Sequence, residues 1–206
     1  MSYEQMQNNK VCLSGQIASE LEFSHEIMDE KFYDFTVSVK RLSGQEDIVP
    51  VTISERIIGE NRFEIGNLIG LIGQFRSYNK IIENHSKLVL KVFVRELCEY
   101  DEQVPNAIEI EGFVCKPPVY RTTPFKREIC DLLIAVNRAY NKSDYIPAIA
   151  WGRNARFAST FSVGDKIRLN GRIQSRIYQK QLESGDVEER VAYEVSITSL
   201  TALFSE

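Results

Sequence analysis

The sequence has few of the residues that bind metals or crosslink a chain. Its 206 residues include four cysteines and two histidines, and no two cysteines form a CxxC pair. Metal centres and redox motifs need such side chains at short spacing, so we expect no metal site and no disulfide framework. Buried, reduced thiols are predicted at all four cysteines. These are Cys12, Cys98, Cys115 and Cys130.

Motifs that carry catalysis are also missing. The sequence contains neither a GxxxxGK[ST] phosphate-binding loop nor a glycine-rich dinucleotide fingerprint. Both histidines, His25 and His85, lie in the first half. Asp144 and Asp165 fall at predicted turns, where a capping role is the ordinary one. We therefore expect a protein that is not an enzyme, with no catalytic residues and no cofactor.

Long apolar runs are absent too. No stretch approaches the roughly 20 apolar residues that a membrane-spanning helix needs. The first nine residues have neither a basic start nor an apolar segment, so they do not resemble a signal peptide. The 43% hydrophobic and 26% charged fractions are ordinary for a globular chain. These features predict a cytoplasmic protein without a membrane contact.

What the sequence does have is a long internal repeat. The segment 9–15 (NKVCLSG) returns at 106–112 (NAIEIEG), an offset of 97 positions. At the same offset Arg41 matches Arg138 and Asp47 matches Asp144, and one position later Ser77 matches Ser175. A period near 100 residues exceeds the 20–50 of solenoid repeats and fits a duplicated small domain. We predict a first domain at 1–100, a linker at 101–105 and a second domain at 106–206.

Charge separates the two copies. Residues 1–105 carry 11 Lys and Arg against 17 Asp and Glu, a balance of −6, whereas residues 106–206 carry 14 against 12, a balance of +2. The net charge of −4 thus hides a basic second copy. A polyanionic partner is expected on that copy.

Both copies have the pattern of β-strands with one short helix. In the second copy strands are predicted at about 108–114, 129–138, 145–151, 166–181 and 191–197, with a helix near 154–161. The first copy has strands near 10–17, 33–41, 48–54, 69–78 and 87–97, with a helix near 55–62. Five strands with a helix between the third and fourth is the order of the OB-fold barrel. We predict an all-β protein of two tandem five-stranded OB-fold barrels, each with one short helix between strands 3 and 4.

The third strand of the second copy points to a ligand that stacks. With a period of two, Tyr145, Pro147, Ile149 and Trp151 share one face, and the small aliphatic residues between them suit the core. A tyrosine and the single tryptophan of the chain are thus predicted to face outward. Base stacking is one reason for such exposure, since it contributes about 1–3 kcal/mol per base.

The fourth strand adds charge to the same surface. From residue 166 every second residue is polar, aromatic or cationic, while the interleaved positions are mostly apolar. A bulge near Gly171 would shift this alternation. Cations that follow phosphates beside exposed rings are typical of sequence-tolerant single-strand binding. The polar set is Lys166, Arg168, Asn170, Arg172, Gln174, Arg176, Tyr178 and Lys180.

The first copy has lost most of this surface. At the repeat offsets, Tyr140 falls on Ser43, Tyr145 on Ile48, Trp151 on Ser54 and Tyr178 on Lys80. Its fourth strand is largely apolar where the other is cationic. Such a copy is better suited to packing against protein than to holding phosphates.

These motifs resemble those of the bacterial single-stranded DNA-binding protein family. The resemblance covers residues 106–198 and includes the segments 118–124 (PVYRTTP), 135–138 (AVNR) and 151–155 (WGRNA). Residues 9–98 are similar to a divergent second member. The resemblance places the stacking rings at Tyr140, Tyr145, Trp151 and Tyr178. Gln174 is also predicted to bind nucleic acid. The predicted phosphate contacts are Arg121, Arg138, Arg153, Arg172, Arg176 and Lys180.

The resemblance also bears on partners. Family members with two such domains per chain pair as homodimers with four OB-folds, so a homodimer is implied. The family's acidic tail ending in Pro-Phe has no counterpart here, which argues against tail-mediated recruitment of enzymes. The function predicted is single-stranded DNA binding in replication, recombination or repair. The alternative is an OB-fold scaffold in a replication or primosome-like assembly, and RNA remains open as a ligand.

Overall fold

The first half forms six strands and one short helix. The structure, a computed structural model, describes residues 7–82, 85–181, 185 and 187–203. Ser54 caps the helix by accepting a hydrogen bond from the amide of Arg56, and Gly59 ends it at φ 51°. The elements are β1 (Asn9–Ile17), β2 (Glu22–Ile27), β3 (Glu30–Lys40), β4 (Glu46–Ser54), α1 (Glu55–Ile58), β5 (Leu68–Ile82) and β6 (His85–Cys98).

The second half repeats this order. The longest predicted strand, 166–181, has the same bounds in the structure, and the predicted helix is shorter than expected. The sequence also predicts turns at 83–85 and 184–186, and these fall mostly outside the described residues. The elements are β7 (Asn106–Val114), β8 (Val119–Thr122), β9 (Glu128–Arg138), β10 (Lys142–Trp151), α2 (Arg153–Ala158), β11 (Lys166–Gln181) and β12 (Val187–Ala202).

Each half closes into a barrel. In the first half the strands lie in the order β3-β4-β6-β5-β1, and β1 pairs again with β3. In the second half the order is β9-β10-β12-β11-β7, and β7 pairs with β9. This is the strand order of the OB-fold, so the predicted fold class is confirmed. Within the described residues, no helix has the length and apolar character needed to cross a bilayer.

Two short strands, β2 and β8, were not predicted. Each extends the barrel through an antiparallel hairpin with the next strand, β3 or β9. Residues of β8 are all exposed, and those of β2 are exposed or half-buried. Without a buried face neither strand has the alternation of apolar and polar residues that sequence reading depends on.

The two barrels join into one continuous sheet of 12 strands. Antiparallel pairing of β1 with β7 places Val11 opposite Ile108 and Lys10 opposite Glu109. The predicted linker also contacts this junction, because the amide of Ser14 donates to the carbonyl of Pro105 at 2.8 Å. The division at residues 100 and 106 stays a prediction, since pairing across the junction is as regular as pairing within a barrel.

The repeated asparagines explain part of the sequence repeat. Asn9 donates to the carbonyl of Phe75 at 2.7 Å and accepts from its amide at 2.9 Å. Asn106 makes the same two bonds to Ile173, at 2.8 and 2.9 Å. In each barrel a side-chain amide thus substitutes for a strand neighbour where the sheet pairing ends.

A pair of repeated glycines has an equally direct cause. A Cβ atom on Gly73 would lie 2.4 Å from the carbonyl oxygen of Phe93, and one on Gly171 would lie 2.3 Å from that of Ser196. Both glycines adjoin a register shift between neighbouring strands. A side chain does not fit at either position without moving backbone.

The cysteine prediction is wrong at one position. Cys130 is fully buried, and Cys12 and Cys115 are partly buried, but Cys98 is exposed at the end of β6. Cys98 still pairs with Gly70 of β5, but it lies past Val94, the last fully buried residue of β6.

Candidate nucleic-acid interface

The four predicted stacking rings all lie at the surface. Tyr140, in a short turn at 139–141 with φ 61°, is 81% exposed. Tyr145, Trp151 and Tyr178 are exposed by 45%, 38% and 37% of their surfaces. The indole Nε1 of Trp151 donates to the hydroxyl of Ser196 at 3.2 Å, which fixes the ring beside β12. Rings held at this level of exposure offer a face to a planar ligand.

The alternation along β10 is largely as predicted. Ile146, Ala148 and Ala150 are buried in the core, and Tyr145 and Trp151 point outward. Ile149 was predicted on the outer face, yet it is 5% exposed. It lies between β9 and β12 in the middle of the sheet, opposite Asp131 and Ser196, where neighbouring side chains cover even the outer surface.

The bulge expected near Gly171 is present, but its extra residue lies on the neighbouring strand. Asn170 pairs with Ser199 and Gly171 pairs with Ile197, which leaves Thr198 of β12 unpaired. The alternation of β11 therefore continues through the bulge. Ile167, Leu169 and Ile173 face the core, as predicted.

The cations of β11 differ in what surrounds them. Lys166 and Arg168 both pair with Glu111 of β7, at 2.5 and 2.9 Å, so that end of the strand is neutralised. Arg176 lies 4.0 Å from Glu194 and 5.8 Å from the ring of Tyr178. Arg176 is therefore less closely paired with an acidic side chain than Lys166 and Arg168 are.

Gln174 and Arg172 are more enclosed than the sequence implied. Gln174 is 8% exposed, and its amide nitrogen donates to Glu194 at 2.7 Å. Arg172 contacts Asp47 of the first half at 3.3 Å and Gln174 at 3.3 Å. Burial and the charge of the nearby Arg41 lower the pKa of Arg172 below its usual range. Their roles toward a ligand stay predictions.

The remaining predicted cations occupy separate positions. Arg121 on β8 donates to Asp131 at 2.8 Å. Arg153, the first residue of α2, is exposed and has no ion pair among the described residues. The side chain of Lys180 lies outside the part of the chain that the structure describes. The structure does not gather these three side chains into one cluster.

A cleft of about 600 Å³ lies beside Trp151. Its lining combines residues of both halves, which sequence reasoning missed because nothing in one strand's pattern reports what packs against it. Four arginines line it, two of them outside the predicted set, against one acidic side chain. The lining residues are Arg41, Gln45, Glu46, Arg127, Trp151, Arg172, Gln174, Ser175, Arg176, Ile177 and Ser196.

Behind the arginines that line this cleft, the buried Asp47 joins the two halves. Its carboxylate accepts two bonds from Arg41, at 2.5 and 2.7 Å, and one from the amide of Ser175 at 2.7 Å. Burial alone would raise the pKa of Asp47, but the hydrogen bonds from Arg41 and Ser175 outweigh it and hold the pKa below its ordinary value. We call Arg41, Asp47 and Ser175 the first latch.

The repeat creates a second latch from Arg138, Asp144 and Ser77. Asp144 accepts from the amide of Ser77 at 2.7 Å, but Arg138 only approaches it, at 3.4 Å. Burial raises the pKa of Asp144 above its ordinary value despite the nearby charges of Arg138 and Arg76. Asp144 was predicted to cap a turn, and this is wrong: it is a buried strand residue that contacts the other half.

The surface of the first half that corresponds to the rings is different in kind. Ile48 is exposed where the second half has Tyr145, and Ser54 is buried as the cap of α1 where the second half has Trp151. Arg76 stacks on Phe93 at 4.1 Å, and burial lowers its pKa to about 10. The first half therefore presents no set of exposed rings at these positions.

The fold and this surface define a class: a tandem OB-fold chain with aromatic and cationic side chains exposed on its second barrel. The sequence profile of the single-strand binding protein family matches residues 105–203. The second half of the chain is therefore similar to the single-strand binding protein family.

Individual relatives and a solved structure show the same similarity. Single-stranded DNA-binding protein 1 of Staphylococcus aureus (strain COL) is 31% identical over 83 residues, 37% of this chain and 50% of that protein, and protein 2 of strain MSSA476 matches equally. The chain thus spans about half the length of these relatives. The crystal structure of the wild-type single-stranded DNA binding protein from Thermus aquaticus superimposes with a TM-score of 0.75 at 19% identity, covering 96% of this chain and 94% of that one. This likeness extends the fold assignment to both halves.

Proposed function

We propose that this protein binds single-stranded DNA without catalysis, through base stacking and phosphate contacts on its second barrel. The observation that carries the proposal is the cleft in which Trp151 lies among four arginines. The family of the second half and the names of its relatives support the same ligand. Roles in organising or protecting DNA during replication, recombination or repair follow from such an activity.

The division of labour among the side chains is part of the proposal. Rings stack on bases whatever the sequence, because every base has a π-face, and arginines follow the backbone. The proposed stacking residues are Tyr140, Tyr145, Trp151 and Tyr178. Gln174 is proposed to bind nucleic acid beside them. The proposed backbone contacts are Arg121, Arg138, Arg153, Arg172, Arg176 and Lys180.

Binding of this kind has a characteristic response to salt. We expect labelled oligo(dT) to bind at low ionic strength with an affinity that falls by about 0.7 log units per neutralised phosphate for each log unit of salt. Fluorescence anisotropy at several salt concentrations measures both quantities. Absence of binding at the lowest salt, with the protein folded by circular dichroism, would contradict the proposal.

We also propose the organisation around this activity. Residues 1–100 form a degenerate binding domain, 101–105 a linker and 106–206 the DNA-binding domain. Two copies associate, as the resemblance implies, to give a particle of twice the 23.7 kDa chain mass with four barrels. A cytoplasmic location, where such DNA would be met, completes the proposal.

A further inference from the structure

The cleft beside Trp151 is not built by the second half alone. Arg41 and Gln45, in the turn between β3 and β4, and Glu46, the first residue of β4, reach it from the first half. They face Arg172 and Arg176 of β11, and the first latch fixes this approach by joining Arg41 and Asp47 to Ser175. The acidic half of the chain therefore places side chains within the basic surface of the other half.

We propose that the first half takes part directly in nucleic-acid binding, with Arg41 and Gln45 completing, together with Arg172, a backbone-phosphate site in this cleft. The inference rests on the proposed function and extends it, since the first half has lost the ring positions of a binding domain. Glu46, at the same edge of the cleft, repels a phosphate through its negative charge.

The geometry of the two arginines favours an anion between them and the solvent. Asp47 lies beneath both guanidinium groups: it is 1% exposed, and it contacts Arg41 at 2.5 Å and Arg172 at 3.3 Å. One carboxylate thus balances two cations, which leaves one positive charge at the cleft floor. A phosphate is the ligand that two guanidinium groups with one excess charge are suited to bind.

Donor capacity leads to the same ligand. A guanidinium carries five N–H donors. Arg172 uses one toward Asp47 and one toward Gln174, which leaves three without an acceptor among the described residues. Arg41 is more fully used: it donates to Asp47, to the carbonyl of Ser175 at 3.1 Å and to Gln45 at 2.8 Å. Arg172 therefore supplies most of the donors, and Arg41 supplies charge.

The other charged side chains that line the cleft are also mostly positive. Arg127 and Arg176 bring the cleft's cations to four, whereas Glu46 is its single acidic lining residue. Glu46 is exposed and accepts a hydrogen bond from Ser38 at 2.8 Å, so it does not neutralise an arginine by direct pairing. A charge of this kind weakens phosphate binding without contributing to a latch.

The corresponding position at the second latch lacks these properties. There Arg76 is stacked on Phe93, its Nε is buried without a hydrogen-bond partner, and Ser54 stands where the cleft has Trp151. The repeat thus supplies two latches, and the first of them has both an indole and accessible guanidinium donors beside it. This difference ties the inference to Arg41 and Gln45 rather than to their counterparts across the repeat.

Exposed positions allow a test in which all six latch residues stay unchanged. Gln45→Glu adds a carboxylate that pairs with Arg41 and competes with phosphate, so we expect oligo(dT) affinity to fall about fivefold and the salt slope to shrink by about 0.7. Glu46→Gln removes the opposing charge, so we expect affinity to rise about threefold. Anisotropy with labelled oligo(dT) measures both.

Matched controls carry the same charge changes elsewhere in the first half and the linker. Gln103→Glu and Glu60→Gln lie at exposed positions outside the cleft, and we expect each to stay within about 1.5-fold of wild type. If the cleft variants match their controls while wild type binds, the first half does not contribute and the inference is overturned, although the proposed function stands. If wild type itself does not bind oligo(dT), both are overturned.

Discussion

Replacing Trp151 and Tyr178 together by alanine is expected to weaken oligo(dT) binding by at least about 30-fold. Each stacked base contributes about 1–3 kcal/mol, and 1.4 kcal/mol corresponds to a factor of ten. Both rings are more than a third exposed, so their loss removes a ligand surface rather than core packing. The structural contacts at risk are the hydrogen bond to Ser196 and the 5.8 Å approach of Arg176 to Tyr178.

A matched double variant separates ring loss in general from loss of these rings. Phe23 and Tyr100 are exposed aromatics of the first half and the linker region, by 60% and 41%, and neither lines the cleft. Phe23→Ala with Tyr100→Ala should leave affinity within about twofold. If the Trp151 and Tyr178 variant binds as tightly as this control, stacking on the second barrel is not the basis of binding. If the Trp151 and Tyr178 variant loses DNA affinity but still assembles with other protein chains, the two rings act in DNA binding and not in assembly.

The second large effect concerns the latches, which form a matched pair within one molecule. Asp47→Asn removes the acceptor of two charge-assisted bonds from Arg41 and leaves Arg41 and Arg172 without their shared counter-charge. We expect a loss of about 2–3 kcal/mol in the free energy of unfolding, or about 5–10 °C in Tm. Asp144→Asn should cost less than about 1 kcal/mol, because its Oδ2 has no hydrogen-bond partner among the described residues and Asn keeps an acceptor for Ser77.

The pH dependence of stability follows from the two pKa directions. The pKa of Asp47 in the folded state lies below its ordinary 3.8, so its stabilisation is complete above that value and is lost as pH falls through the folded pKa. The pKa of Asp144 lies above its ordinary 3.8. Its ionisation therefore lowers the stability of the folded state as pH rises from 3.8 through the raised pKa. Thermal unfolding should show the gap between wild type and Asp47→Asn narrowing toward pH 3. Equal Tm losses for the two variants at pH 7 would contradict the asymmetry of the latches.

The sequence was sufficient for the parts of the fold that have a buried face. β11 is amphipathic over its first half, and its bounds could be read directly. The repeat indicated that the two halves share one fold. Asn9 and Asn106, which match in the repeat, make equivalent hydrogen bonds in the two barrels. Strands β2 and β8 could not be read, because neither has a buried face and their side chains show no alternation of apolar and polar residues.

For the interface, the sequence predicted what each strand exposes and missed what packs against it. Tyr145 and Trp151 lie outward as a period of two requires. Ile149 on β10 and Gln174 on β11 were also predicted on the outer face, but both are buried. The approach of Arg41 to Ser175 spans 134 positions, and no local pattern reports such a contact. The matches of Arg41 with Arg138 and Asp47 with Asp144 were visible in the repeat, but their shared role was not.

The most direct measurement is the fluorescence of Trp151, which is the single tryptophan of the chain. Titration of the wild-type protein with unlabelled oligo(dT) at low salt should quench its emission to saturation, because a base stacks on the exposed indole, and added salt should restore the emission. Emission that stays unchanged at saturating oligo(dT), under conditions where the protein is folded, would contradict the assignment of this surface to single-stranded DNA.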